Sequence, residues 1–165
     1  MIVYGASMFT TFLTSALYHG VQHERIKAVL RKIDHCTIFL FIAGTYTPVT
    51  LLPLRHHSGV MLLAAIWTLA IVGIVLRLMN EPLYHRVAVP LYLAMGWLCL
   101  GWSIPFYQMV GTIPILLMIA GGVSYTGGIF FYRWHRFPFS NPMWHLCVVV
   151  GSTAFFLAIT RFPHI

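Results

Sequence analysis

Charge is missing from most of this chain, and the pattern of its absence limits what the chain can fold into. Residues 1–23, 35–54, 56–76, 87–132 and 137–160 contain no Asp, Glu, Lys or Arg. Four of these runs are about one membrane span long, at ~1.5 Å per residue across a hydrocarbon layer of about 30 Å. The run 87–132 is long enough for two, with "SIPFYQMVGTIP" supplying a turn rich in Pro and polar groups between them. Only 8% of the 165 residues are charged and 59% are hydrophobic, whereas about a quarter of a soluble domain is charged. So small a globule cannot bury that much apolar surface, so lipid must serve as solvent. The expected fold class is all-α: a polytopic transmembrane helix bundle of about six helices. Its spans fall near 2–19, 35–54, 59–79, 87–104, 112–132 and 143–161, in one integral membrane domain over 1–165.

The net charge of +7 would suit nucleic acid, but the cations are placed for a membrane. Arg25, Lys27, Arg31 and Lys32 follow the first span, Arg77 and Arg86 flank the loop after the third, and Arg133 and Arg136 follow the fifth. Arg55 and Arg161 are the cations of the other side. The positive-inside rule then sets the N-terminus outside and the His19 end of the first helix in the cytoplasm. The basic excess reads as topology and contact with anionic lipid, with no nucleic-acid partner expected. Cys36, Cys99 and Cys147 have no short spacing to one another and read as small apolar packers. The first span lacks a basic leader and runs into a polytopic pattern, so no cleavable signal is expected.

Polar groups at membrane depth are costly, which makes them the candidates for function. Ser15 and His19 end the first span, Asp34 and His35 open the second, and Asn141 and His145 open the sixth. The topology puts all of them at one membrane face. Ser15 and His19 are spaced i,i+4 and share a helix face, as do Asn141 and His145. Two such faces and a carboxylate make a cup for one metal ion or one activated water. Each residue also has a plain structural alternative. Asp34 can cap the second helix against the dipole. Asn141 followed by Pro142 reads as N-cap then N1, and Ser15 can bond back to the preceding turn. His56 and His57 fall in the outer loop, and His23, His85 and His135 among cytoplasmic loop cations. Pro48 predicts a kink in the second helix, with Thr45 or Thr47 covering freed backbone groups. "GGVSYTGG" supplies small residues for close helix contact.

The segments "SALYHG", "KIDHCTIFLFIAGTYTP", "YLAMGW" and "NPMWH", in order along nearly the whole chain, resemble the hemolysin III family. That family belongs to the larger group that includes the progestin and adipoQ receptors, and "DHCTIFLFIAGTYTP" is the most specific piece. In the wider group a Ser-x-x-x-His ends the second helix, an Asp opens the third and a His-x-x-x-His opens the seventh. In the adiponectin receptors the three histidines hold zinc and the Asp contacts the metal-bound water. The resemblance implies Ser15 and His19 for the first motif, Asp34 for the second and His145 for the second His of the third, with Zn2+ as cofactor. Asn141 stands where the first His of that motif belongs, and an amide oxygen is a poorer zinc ligand than imidazole. Six spans against the family's seven set Met1 where the family's second helix begins.

The function expected is a metal-dependent hydrolase of lipid amide or ester bonds with its site at the cytoplasmic side. His19, His145 and Asn141 are its metal set, Asp34 orients water or acts as base, and Ser15 hydrogen-bonds ligand or substrate. Two other classes stay open. One is a non-enzymatic membrane regulator or sensor with a degenerate metal site, which Asn141 favours. The other is a membrane-perturbing cytolysin or channel, implied by the family name. The third to fifth spans are nearly bare of charge, which speaks against a pore. The expected partners are membrane lipids, with a lipid as substrate, and the expected location is the plasma membrane of a bacterial cell. The oligomeric state is left open.

Overall fold

The computed structural model of the chain describes residues 1–55, 58–134 and 138–162. His56, His57, His135 and Arg136, which the sequence assigned to loops, lie outside them. The elements are α1 (Ile2–Gly20), α2 (Glu24–Leu51), α3 (Gly59–Met79), α4 (Glu81–Trp97), α5 (Ser103–Val110), α6 (Thr112–Arg133) and α7 (Ser140–Ile159). A 3-10 turn, Leu98–Trp102, links α4 to α5. The chain is an all-α membrane bundle, with six helical rods among the described residues, because α4, the turn and α5 run on as one.

Among the described residues, Gly59–Met79, Glu81–Val110, Thr112–Arg133 and Ser140–Ile159 are long and apolar enough to cross a membrane by length and composition. The remaining two helices are the polar ones. α1 carries Thr10, Thr11, Thr14 and Ser15, and α2 opens on Glu24, Arg25, Lys27, Arg31 and Lys32. They satisfy one another. Thr11 Oγ1 donates to the Thr37 carbonyl at 3.1 Å, the Thr14 and Thr37 hydroxyls lie 3.1 Å apart, and Thr37 Oγ1 donates to the Asp34 carbonyl at 2.7 Å. In hydrocarbon such groups have no water to turn to, so each bond made between helices fixes their mutual rotation.

Two boundaries differ from the sequence reading. The second helix begins at Glu24, about three turns before the apolar run at 35. Those turns are built of good helix formers, with Glu24 at the positive end of the dipole, so Arg25, Lys27, Arg31 and Lys32 lie on a helix and not in a loop. The fourth rod begins at Glu81, where the Asn80 side chain accepts from Leu83 N at 3.1 Å and Pro82 occupies the first turn. It continues to Val110, so most of the expected "SIPFYQMVGTIP" turn is helical and the reversal is made at Gly111, whose φ of 77° suits glycine.

α2 is the central element. It packs on α1 and α3 and reaches α4 and α7, while α6 packs on α7 and α4. Gly44 of α2 lets α1 come close, since a Cβ there would run into the Ser7 side chain. Pro48 sits inside α2, and Thr45 and Thr47 back-bond to the carbonyls of Phe41 and Ala43 at 2.8 and 2.9 Å. Tyr46 ties α2 to the 3-10 break: its hydroxyl donates to the Met95 carbonyl at 2.7 Å and accepts from Cys99 N at 3.0 Å. Of the small residues in "GGVSYTGG", Gly121 and Gly128 face α7, against Phe155 and against Cys147 and Trp144, while Gly122 faces Trp97 of α4. Tyr4 closes the seam between the first and last helices, its hydroxyl donating to the Ser152 carbonyl at 2.8 Å.

Candidate functional site

At the other end of that seam, α1 and α7 meet again through histidines. His19 Nε2 and His145 Nε2 stand 3.3 Å apart, with the rings edge to face. Local packing puts them there. The Thr11–Thr14–Thr37 hydroxyls pin α1 to α2 one to two turns before His19, so Ser15 and His19, on the same face as Thr11, turn toward α2. On α7, the Cys147 carbonyl accepts from the Ser124 hydroxyl at 2.9 Å, which sets the rotation that brings His145 inward.

Asp34 lies eleven residues into α2, so it caps no helix. Its carboxyl sits just before the apolar run 35–54. Burial pushes its pKa above the ordinary carboxylate range, while the charge of His19 and a hydrogen bond from the Ser15 hydroxyl pull it down. Asn141 is not the N-cap of α7 either: Phe139 holds that place, with no side-chain cap bond. Asn141 lies within the first turn of α7, one turn before His145.

His19, Asp34, Asn141 and His145 line a cavity of about 490 Å³. Tyr18, Tyr132 and Ser140 add hydroxyls, and Arg31, His35, Glu81 and His85 form its opposite wall. That wall was missed from sequence. His85 reads as a loop cation, yet it lies on α4, facing the cavity, because α4 starts earlier than hydropathy indicates. His35 follows Asp34 and stands one turn after Arg31, a spacing visible in the sequence. Below the polar cup lies a second, apolar cavity of about 130 Å³, bounded by Phe41, Tyr46, Trp97, Met118, Tyr125 and Phe155 among others. Ile38, Tyr92, Ile129 and Trp144 line both, so the two spaces adjoin through one ring of side chains.

The fit to zinc divides. Two nitrogens bound tetrahedrally to one zinc at about 2.0–2.1 Å stand roughly 3.3 Å apart, which is the His19–His145 separation. The third strong ligand is not equally placed. Among the described residues no three His, Cys, Asp or Glu side chains gather as a metal set, and Asn141 brings only an amide. The spacing of the two imidazoles is that of one shared zinc, and the third strong ligand is not gathered beside them among the described residues.

A family profile described as Haemolysin-III related matches residues 1–156. The chain belongs to the haemolysin III family. It is similar to the protein named Hemolysin-3 from Bacillus cereus, 39% identical over 157 residues, covering 95% of this chain and 72% of that one. It is also similar to the Hemolysin-3 homolog of Bacillus subtilis (strain 168), 37% identical over 157 residues, covering 95% of this chain and 74% of that one. As a haemolysin III protein it is integral to a membrane, as its apolar helices require.

Proposed function

We propose that this haemolysin III protein is a metal-dependent hydrolase of lipid amide or ester bonds, working at the cytoplasmic face of a bacterial plasma membrane. The observation that carries the reading is the joining of two unlike spaces. A polar cup holding the His19–His145 pair and Asp34 adjoins an apolar chamber through Ile38, Tyr92, Ile129 and Trp144. A molecule that fills both has an apolar tail and a polar linkage, and the linkage falls beside the histidines.

His19 and His145 would hold zinc, with Asp34 or Asn141 as a weaker third partner. Zinc bound there would supply Lewis acidity and an acidified water. The rest is done by the chain. Asp34 takes a proton from the attacking water and returns it to the leaving group, a task helped by a carboxyl whose burial raises its proton affinity. Ser15 holds Asp34 in position. The aromatic walls of the chamber fix the tail and keep bulk water from the reacting bond.

The test is release of fatty acid from defined lipids by the detergent-purified chain. Asp34→Asn and His19→Ala should each lower the rate by about a hundredfold or more while circular dichroism stays unchanged. Equal rates in all three proteins would sink the hydrolase. Asn141 in place of a third imidazole supports a second reading, a non-catalytic regulator whose polar cluster joins α1 to α7. In that case His19→Ala lowers stability and no lipid is turned over. The name Hemolysin-3 borne by the relatives adds a third reading, lysis of membranes, for which dye release from vesicles is the direct assay.

A further inference from the structure

Opposite the histidine pair, the cavity has a wall that the proposed chemistry does not use. Arg31 and His35 are i,i+4 on α2, and Glu81 and His85 are i,i+4 on α4, so each pair shares a helix face, and all four line the cavity. The His35 ring stacks on Tyr84 with centroids 5.9 Å apart, and its Nδ1 is buried with no hydrogen-bond partner. Behind it Arg77 is fully buried, with its Nε also lacking a partner. Arg77 donates to Glu81 Oε1 at 3.0 Å, and its guanidinium lies 4.9 Å from the centre of the Tyr84 ring. His85 Nε2 stands 3.6 Å from the same carboxylate oxygen.

The charges acting on His35 are those of Arg77, His85, Arg31 and Glu81. Two are permanent cations and one is a carboxylate, already engaged by Arg77. The wall therefore has a surplus of positive charge. An anion entering the cavity meets that surplus beside Arg31 and His85, which line it. A cation fits poorly, because Arg31 and Arg77 would repel it.

We propose that Arg31, His35 and His85 bind the anionic phosphate headgroup of the lipid whose tail lies in the apolar chamber. This deepens the reading above and rests on its placement of a lipid across the two spaces. It makes the substrate class a phospholipid and not a neutral acylglycerol or ceramide. Arg31, exposed at the mouth, makes the charge-assisted contact that guanidinium geometry suits. His35 presents its imidazole at the wall, His85 contributes from α4, and Arg77 supports both from behind while holding Glu81 aside.

Equilibrium dialysis on the detergent-purified chain tests this without turnover. The probes are dihexanoyl phosphatidylglycerol, dihexanoylglycerol and inorganic phosphate. The phospholipid should bind about tenfold tighter than the diacylglycerol, and Arg31→Gln should remove that margin, since one charge-assisted contact is worth about that much. Arg31→Lys should restore part of it. Arg31 is exposed, so neither change threatens the fold. Equal binding of the two lipids, or a phospholipid preference that survives Arg31→Gln, overturns the proposal. Phosphate binding as tightly as the phospholipid, with the same dependence on Arg31, overturns the assignment to a lipid headgroup. A chain that shows the headgroup preference but cleaves no lipid sinks the hydrolase and leaves this subsite standing.

Discussion

Replacing Asn141 by histidine raises the zinc affinity of the purified chain by about a hundredfold. Structural sites with four ligands bind zinc with roughly 10–16 kcal/mol, so one good ligand is worth about 3 kcal/mol. Asn141 stands one turn before His145, and both line the cavity into which His19 also points. The position exposes its side chain, so an imidazole is accommodated without displacing core groups. Competition against a chromophoric zinc chelator reads the change. An affinity that does not move would mean that position 141 faces away from the metal. His19→Ala in the Asn141→His background should return the affinity to the native level or below.

Arg77→Ala lowers the stability of the bundle by about 3 kcal/mol, and Arg77→Met recovers most of the loss. Two effects compete here, and burial decides between them. The ion pair to Glu81 is short at 3.0 Å, but the Glu81 side chain is 48% exposed, so solvent screens the attraction and its net worth is small. The Arg77 side chain itself is 1% exposed and covers Tyr84. Truncation therefore leaves a cavity of the kind that costs about 2–5 kcal/mol for a long side chain, together with the lost stacking on the ring. Methionine refills most of that volume without a charge to desolvate. Denaturant or thermal unfolding in detergent measures both variants. If Arg77→Met is as damaging as Arg77→Ala, charge and not packing dominates the site.

The bundle was readable in the sequence because charge-free runs of span length leave few other folds. The gathering of His19, Asp34, Asn141 and His145 at one cavity was readable from i,i+4 spacing and topology, while Ser15 reaches Asp34 from outside the cavity lining. What escaped has physical causes. Hydropathy marks where lipid ends, not where a helix ends, so the charged turns of α2 before residue 35 and the start of α4 at Glu81 were read as loops. That error hid His85, which reads as a solvated cation when α4 is drawn to begin at 87. The rotation of each helix about its axis is set by contacts such as Thr14 with Thr37 and Ser124 with Cys147, which no hydropathy profile contains. The apolar chamber is likewise a tertiary property. Phe41, Trp97, Met118 and Phe155 are ordinary bundle residues until four helices bring them around one space. Arg77 is the clearest case: as a flanking cation it signals topology, and the fold then buries it.

The most direct measurement is the metal content of the native chain, by inductively coupled plasma mass spectrometry on protein purified in detergent without chelator. About one zinc per chain is expected, held by the His19–His145 pair, and it should be lost in His19→Ala and in His145→Ala while the helical spectrum is kept. A native chain free of metal, beside an Asn141→His variant that binds it, would contradict the metallohydrolase and leave a degenerate site that joins helices.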